Sequence, residues 1–314
     1  MDPVVYTPRR AAQVLKVELR ALNAAMRKES YSALDLLALR QRLGLTPPPI
    51  GPRRQLFLNF KGGTGKTSLS TSYAFRLAEM GYRVLLIDLD SQGHATKCLG
   101  LEGEHFEKTL LEVLVKRASI TQAITSSGTP QLDLVPSNLS MSTVELSLMP
   151  LAARETRLKN ALKEIDGQYD LTVLDAPPSF GLLNLNALMA ADDLIVPVLA
   201  DFLSFHGLKL LFETVEGLEQ DLDHHLDHIF IVINAFNQTF KLAKEAQSAL
   251  AEHFGEFLCR TVVRQCTKFA QASSEGVPIF VADPESKGAV DIQALIDEVL
   301  GKLMEQRKVK AARS

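Results

Sequence analysis

The sequence contains no apolar run that approaches the ~20 consecutive residues needed to cross a bilayer as a helix. Its first residues also lack the charged-then-apolar pattern of a signal peptide. Because both signals are missing, we expect a cytoplasmic protein. Internal repeats and low-complexity segments are absent too, which favours an ordinary globular chain.

Cysteine is scarce. The three cysteines are Cys98, Cys259 and Cys266, and no two of them have C-x-x-C spacing. An odd number of cysteines without a secretion signal predicts reduced, buried thiols and no disulfide framework. Their spacing also gives little support to an iron–sulfur cluster.

Charge is unevenly distributed along the chain. The 314 residues carry a net charge of −3, yet residues 1–54 hold ten Lys/Arg against four Asp/Glu. The remainder is acidic, so the overall charge excludes a nucleic-acid coat protein and leaves room only for local basic surfaces.

The N-terminal part differs from the rest in pattern as well as charge. Thr7 and Pro8 form an N-cap and first-turn pair, and apolar residues then follow at helical spacing through Leu22, which predicts a first helix. The leucines from Leu34 to Leu39 predict a second helix. A proline cluster ends this region. We therefore divide the chain into a basic helical extension (1–46), a proline-rich linker (47–54), an α/β domain (55–305) and a basic tail (306–314).

After the linker, apolar strand-like runs alternate with helix-length segments. Strands buried on both faces and separated by helices predict an α/β fold with a doubly wound, mostly parallel sheet and helices on both faces. The predicted strands are 56–60, 84–88, 132–135, 171–175, 194–198, 229–234 and 261–263. The predicted helices are 66–80, 151–166, 204–220, 241–254 and 289–305.

A glycine-rich segment follows the first of these strands and leads into a helix. Backbone N–H groups and the helix dipole then converge on one spot, which favours a phosphate group. An ordinary P-loop has glycine where this chain has Phe60, and the next residue is an additional lysine. The residues expected to form the loop are Lys61, Gly62, Gly63, Thr64, Gly65, Lys66, Thr67 and Ser68.

Carboxylates stand at the ends of two other predicted strands. Asp88 and Asp175 each end an apolar run, and Asp90 follows two residues after Asp88. A carboxylate after a buried strand is costly without a cation, and Mg²⁺ near phosphates prefers carboxylates and water. Since ligands sit at the carboxyl ends of parallel strands, we expect one nucleotide and metal site there.

Together these motifs resemble the ParA/MinD family of deviant Walker A P-loop ATPases, and the likeness spans roughly residues 55–300. The resemblance implies ATP and Mg²⁺ as cofactors and a homodimer that sandwiches two nucleotides. It makes Lys61 the lysine that reaches the opposite subunit's phosphates, and it makes Lys66 the lysine of its own loop. Asp90 positions the attacking water. The implied metal residues are Thr67, Asp88 and Asp175, and Asn234 is the implied adenine contact.

Some members of this family bind membranes, and others bind nucleoid DNA. The C-terminal helix here has acidic residues on its polar face, and the basic tail lacks aromatic anchors, so we expect no membrane binding. A few exposed cations would give weak, sequence-independent DNA binding and nucleoid association. The residues expected to contact DNA are Lys241, Lys244, Arg264 and Lys268.

These features predict a slow, partner-stimulated ATP hydrolase. It would dimerise on ATP, bind nucleoid DNA and position a cargo, with the cell-division site favoured. Plasmid or chromosome partition is the nearest alternative. A DNA-binding regulator using the N-terminal helices and an iron–sulfur ATPase are further alternatives. Because residues 1–46 lack a turn glycine, they favour docking of an activating partner over site-specific DNA recognition.

Overall fold

Two β-sheets organise the protein. The computed structural model describes residues 4–201 and 203–313. In a seven-stranded sheet the order is β5-β6-β4-β7-β3-β8-β9, and every adjacent pair is parallel except β5–β6. The strands of the chain are β1 (Val5–Tyr6), β2 (Tyr31–Ser32), β3 (Arg53–Phe57), β4 (Val84–Asp88), β5 (Thr125–Ser126), β6 (Leu132–Val135), β7 (Leu171–Asp175), β8 (Asp193–Leu199) and β9 (His228–Asn234).

Helices cover both faces of the large sheet, as predicted. Successive residues of β4 point to opposite faces: Leu85 and Ile87 belong to one core, whereas Val84 and Leu86 belong to the other. The helices are α1 (Pro8–Leu15), α2 (Leu19–Ala25), α3 (Ala33–Arg42), α4 (Lys66–Glu79), α5 (His94–Lys97), α6 (Leu110–Leu114), α7 (Val144–Leu148), α8 (Arg157–Leu162), α9 (Leu182–Ala190), α10 (Leu203–Leu222), α11 (Lys241–Phe254), α12 (Lys268–Glu275), α13 (Ile279–Ala282) and α14 (Lys287–Arg313).

Two predicted strands differ from the structure. The first was expected at 56–60, but β3 ends at Phe57, so the approach to the loop is irregular and the first two sheet residues lie in the predicted linker. The segment 261–263 forms no strand. It lies beside β9 through single bonds such as Val263 N–H to Ile233 O (2.8 Å), and the chain turns away before a ladder can form.

The extension is more structured than two helices. It contains α1, α2 and α3, and β1 pairs antiparallel with β2. The apolar spacing suggested one continuous helix through Leu22, but Lys16 adopts the left-handed conformation (φ 55°) and ends α1. Apolar residues from all three helices then pack into a small core of their own.

Arg40 fastens this extension to the α/β domain. Its guanidinium donates to the backbone oxygen of Glu79 from Nε (3.0 Å) and Nη2 (2.7 Å), and to Val14 O (3.1 Å). Glu79 is the last residue of α4, the helix that begins at the glycine-rich loop. Since the final carbonyls of a helix lack intrahelical partners, Arg40 caps α4.

The C-terminal helix is longer than predicted. α14 runs to Arg313 and so includes most of the segment expected to be a basic tail, while Ser314 lies outside the described residues. Within 4–201 and 203–313, no helix combines the length and apolar character needed to cross a membrane.

The Arg40 cap predicts a measurable stability loss. Replacing Arg40 with Ala leaves the Glu79 carbonyl without its charged donor, which should cost about 2 kcal/mol of unfolding free energy. Urea denaturation would measure the loss, and limited proteolysis should cut the extension faster. Arg42→Ala is the control because Arg42 is exposed on the same helix. Equal effects of both substitutions would contradict the capping role.

Candidate nucleotide site

The glycine-rich loop connects β3 to α4 at the carboxyl edge of the sheet. Gly63 (φ 72°) and Gly65 (φ 85°) take left-handed conformations that L-residues rarely adopt. A side chain at Gly65 would also meet Asn234 Nδ2 at 2.2 Å. The loop therefore depends on glycine at this position both for its backbone turn and for contact with β9.

The residues of this loop fit a phosphate group. Lys66 is buried at the start of the 14-residue helix α4, and its ammonium donates to Lys61 O (3.2 Å). Burial lowers the pKa of Lys66, while the charges of Asp175 and Asp90 oppose that shift. Thr64 Oγ1 is buried without a hydrogen-bond partner. A buried cation, an unpaired hydroxyl and a helix N-terminus together form an anion cradle.

Two buried carboxylates lie side by side next to the cradle. Asp88 of β4 and Asp175 of β7 are register partners in adjacent parallel strands, and both are fully buried. Burial and then the neighbouring Asp175 raise the pKa of Asp88 to about 7. Burial raises the pKa of Asp175 to about 6. A divalent cation would relieve this electrostatic cost.

Hydroxyl groups orient both carboxylates. Thr67 Oγ1 donates to Asp175 Oδ2 (2.8 Å), and Ser70 Oγ donates to Asp175 Oδ1 (2.8 Å). Thr96 donates its backbone N–H and its hydroxyl to Asp88 Oδ2, each at 2.8 Å. These bonds fix the direction of the oxygen atoms that a metal or its water ligands would meet.

Asp90 lies in a tight turn beyond the end of β4. Its backbone N–H donates to Asp88 Oδ1 (3.1 Å), and its Oδ1 accepts from Gln92 N–H (3.0 Å). The turn closes through Gly93 N–H to Asp90 O (2.9 Å) before α5 begins. Asp90 is near enough to influence the pKa values of Lys66 and Asp175. The structure thus brings Asp90 to the same site as the loop.

Lys61 forms an ion pair within its own chain. Its Nζ lies 2.7 Å from Asp201 Oδ2, and both side chains are about one-third exposed. Asp201 Oδ1 also accepts from Ser204 N–H and Oγ, both at 2.9 Å. Burial tends to raise the pKa of Asp201, but bonds from Lys61 and Ser204 lower it overall. The Lys61 ammonium therefore has a carboxylate partner beside the loop.

Comparison with known proteins identifies the chain. A family model described as an AAA domain matches residues 55–228. The chain is 66% identical over 304 residues to the cell division protein PomZ of Myxococcus xanthus, covering 97% of this chain and 95% of that protein. It belongs to the ParA/MinD family of P-loop ATPases.

Two further relatives agree with this assignment. The sporulation initiation inhibitor protein Soj of Bacillus subtilis is 34% identical over 241 residues, 77% of this chain and 95% of Soj. Cobyrinic acid a,c-diamide synthase from Mycobacterium smegmatis, solved with ADP and magnesium, has a TM-score of 0.68 and 28% identity. That match covers 79% of this chain and 94% of the solved one. PomZ and Soj support a ParA-like ATPase of the positioning or partitioning type, and the synthase supports the fold.

The ParA/MinD resemblance assigned Asn234 to adenine, and the structure gives it another contact. Its side-chain Nδ2 donates to Thr64 O (2.7 Å), and the residue is 9% exposed at the end of β9. Asn234 thus connects the end of β9 to the glycine-rich loop. An adenine contact stays a prediction for this residue.

Most of the residues expected to bind DNA lie at the starts of two neighbouring helices. Lys241 and Lys244 are exposed in the first turn of α11, and Lys268 is the first residue of α12. The segments leading into these helices are joined by Gln265 N–H to Phe236 O (3.0 Å). The segments that precede the two helices are therefore in contact, and a shared DNA surface for the three lysines stays a prediction.

Arg264 differs from the three lysines because a carboxylate holds its guanidinium. Its Nη2 lies 2.7 Å from Asp291 Oδ1, and its Nε lies 2.9 Å from Asp291 Oδ2. Its backbone N–H also donates to the same carboxylate (2.9 Å). Asp291 holds the guanidinium in a bidentate pair, so Arg264 connects its loop to α14. A DNA contact by Arg264 stays a prediction.

Several residues of the site were not predicted from the sequence. Ser70 lies one helical turn beyond Thr67, and that i, i+3 spacing could have revealed it. Thr96 and Asp201 reach the site only through folding. Asn59 is a further positioning residue, because its Nδ2 donates to Pro197 O (2.8 Å) while its Oδ1 accepts from Lys61 N–H (2.9 Å).

The cysteines match the expectation of buried thiols in part. Cys98 and Cys259 are buried, and burial raises the pKa of each, whereas Cys266 is partly exposed. In the part of the chain that the structure describes, no three His, Cys, Asp or Glu residues cluster as metal ligands.

The raised pKa of Asp88 predicts a pH-dependent stability effect. A carboxyl whose pKa is higher in the folded chain binds more protons when folded, so its charge costs stability as pH rises from about 4 to about 7. Asp88→Asn removes that charge. In the nucleotide-free protein we expect Asp88→Asn to melt above wild type at pH 8, with the difference shrinking towards pH 5.

Differential scanning calorimetry at several pH values would measure this effect. Asp133→Asn is a suitable control, because Asp133 is only partly buried on β6 and lies away from the loop. A difference in melting temperature that stays constant with pH would contradict the electrostatic origin.

Proposed function

We propose that this protein is a Mg-ATP-dependent dimerisation switch that positions the cell-division site. The observation that carries this proposal is the 66% identity to PomZ, which extends over 97% of the chain. The alignments to Soj and to the chromosome partitioning protein ParA of Caulobacter vibrioides cover 77% and 81% of it. Of these three alignments, only the one to PomZ is so long that it must include most of the N-terminal extension, because it leaves out 314 − 304 = 10 residues of the chain. This favours division-site positioning over partition.

The proposed cofactors are ATP and Mg²⁺, held by the loop and the paired carboxylates. Lys66 and the loop N–H groups would bind the phosphates, and Thr67, Asp88 and Asp175 would serve Mg²⁺ directly or through water. The metal neutralises phosphate charge when bound. Asp90 would orient the attacking water, as phosphoryl transfer relies on positioning and charge stabilisation. Cobyrinic acid a,c-diamide synthase, solved with ADP and magnesium, supports this assignment.

Lys61 is the residue that would link nucleotide to dimerisation. In the single chain its ammonium is paired with Asp201 at 2.7 Å. We propose that it exchanges this partner for the phosphates of the opposite subunit when two chains close around ATP. Triphosphate carries more negative charge than one carboxylate, so the exchange is electrostatically favourable only in the ATP-bound dimer.

This role predicts different effects for the two loop lysines. Lys61→Ala should impair ATP-dependent dimerisation and hydrolysis while retaining ATP uptake, whereas Lys66→Ala should lose all three. Asp201→Asn frees Lys61 and should shift the dimer midpoint to lower ATP concentration. Analytical ultracentrifugation, a fluorescent nucleotide titration and phosphate release would measure the three properties. Equal loss of all three in Lys61→Ala would assign Lys61 to its own subunit's nucleotide.

Non-specific DNA binding by the ATP dimer is a further part of the proposal. Lys241 and Lys244 are exposed. The ammonium of Lys268 contacts the exposed Gln271 (3.0 Å) and the half-buried Asp283 (3.5 Å). Such surface pairs contribute little stability and exchange readily for phosphate. The protein would then associate with the nucleoid in the cytoplasm, and a protein partner would stimulate slow hydrolysis to release it.

Charge reversal at Lys268 tests the DNA surface. Lys268→Glu should abolish the ATP-dependent gel shift of a random duplex while leaving ATP binding intact, because it replaces attraction to phosphate with repulsion. Lys209→Glu on α10 is the control, since Lys209 is also a surface lysine with an acidic partner, Glu213. An unchanged gel shift for Lys268→Glu would show that this surface has been wrongly assigned.

A further inference from the structure

A cleft opens at one edge of the large sheet. β9 is the last strand in the order of that sheet, and the cleft is lined by the first residues of β9 together with side chains of α10 and α14. Its volume is about 440 Å³. Cavities that hold ligands commonly measure ~300–1,000 Å³. The cleft is therefore large enough to accept part of another molecule.

The backbone of β9 is only partly covered at this edge. Ile231 N–H donates to Phe257 O (2.8 Å), and Cys259 N–H donates to Ile231 O (2.8 Å). Alternate residues of a strand direct their N–H and C=O groups to the same side, so Ile229 faces this edge as well. In the part of the chain that the structure describes, no hydrogen bond joins Ile229 to the covering segment. The amino end of β9 thus presents a donor and an acceptor that another strand could use.

The floor of the cleft is apolar. Phe212 of α10 packs against Phe257, with ring centroids 4.9 Å apart. Phe212, Phe257 and Ile229 all line the cleft, and each of them is only partly buried. Apolar surface therefore stays in contact with water inside the cleft, and a ligand that covered it would gain hydrophobic free energy.

Carboxylates border this apolar floor. Glu216 and Glu219 line the cleft from α10, and Glu256 lines it from the turn that follows α11. Among the described residues, no lysine or arginine forms an ion pair with these three glutamates, and Glu219 has His225 as its neighbour (3.4 Å). The border of the cleft is therefore able to receive positive charge.

The other charged groups of the cleft have contacts of their own. The ammonium of Lys302 lies over the ring of Phe230, 5.3 Å from its centroid, where the ring attracts a cation. Asp227 is paired with Arg53 at 2.6 Å. Three glutamates against one lysine make the cleft acidic, so its charge favours a cationic ligand.

We infer that this cleft is a docking site for an extended, basic segment of a protein partner. The segment pairs its backbone with the N–H and C=O of Ile229 and places apolar side chains against the floor. Its lysine or arginine side chains meet Glu216, Glu219 and Glu256. In such strand addition, main-chain hydrogen bonds supply affinity and the surrounding side chains supply specificity.

The cleft is separate from the nucleotide site. Ile229 lies near the amino end of β9, whereas Asn234 at the carboxyl end contacts the glycine-rich loop. Their separation along the strand is about 17 Å. Docking therefore requires neither nucleotide nor the lysines expected to bind DNA. The inference goes beyond the proposed function, which assigns no partner to this edge of the sheet.

Selection from a phage-displayed library of short random peptides tests the site. The full-length protein, without nucleotide, should enrich peptides that combine lysine or arginine with aliphatic or aromatic residues. A selected peptide is then synthesised with a fluorescent label. Its affinity, measured by fluorescence anisotropy, should fall at least about threefold for Glu216→Gln combined with Glu256→Gln, because two surface ion pairs are lost.

Glu213→Gln combined with Glu252→Gln is the matched control. These two glutamates are exposed on α10 and α11 and do not line the cleft, so the same change of charge should leave the affinity unchanged. Circular dichroism checks that both double variants are folded. Enrichment of acidic peptides, or of none, overturns the inference. Equal affinities of the two folded double variants also overturn it.

Hydrogen exchange tests the backbone contact. The selected peptide should slow exchange of the Ile229 amide, and an unchanged rate would contradict strand addition. Lys66→Ala should bind the peptide as tightly as wild type does, even though it is expected to lose ATP. Loss of peptide binding in Lys66→Ala would assign the peptide to the nucleotide site and overturn the inference, whereas failure of the ATP switch itself would leave peptide binding unchanged.

Discussion

The parallel pairing of β4 with β7 is the constraint on which the site depends. It sets Asp88 beside Asp175 in a fully buried register pair. Two such carboxylates repel one another and resist ionisation, as their raised pKa values express. The surrounding features compensate: Thr67 and Ser70 donate hydroxyls, and Lys66 brings a buried cation at the start of α4. The fold thus places two carboxyl groups side by side where a divalent cation would favour their ionised forms.

Lys61 links the nucleotide site to the proposed dimerisation. Its backbone N–H is held by Asn59, and its ammonium reaches Asp201, which precedes α10. Both contacts lie within one chain, and the ammonium is still about one-third exposed. A lysine held by a single carboxylate at the surface is secured yet exchangeable, because such a pair is weak in water. That is the property a trans-acting residue requires.

The extension and the nucleotide loop share one helix. α4 begins at the phosphate cradle and ends where Arg40 caps its last carbonyl. Glu79, at that end, also lies near Arg10 and hydrogen bonds to Arg76 (2.9 Å). Burial at this junction lowers the pKa of Arg40 to about 10. The N-terminal extension is therefore held against the ATPase domain by direct contacts.

The sequence by itself determined the sheet class, the central strands and the site motifs. β4, β6 and β7 lie at their predicted bounds, because strands buried on both faces leave a continuous apolar signal. It did not determine the left-handed turn at Lys16, the Asp291 pair that occupies Arg264 or the Asp201 partner of Lys61. Those depend on residues 27 to 140 positions apart or on a backbone conformation that lysine seldom adopts. Only tertiary packing brings such groups together, since local propensity carries no information on distant partners.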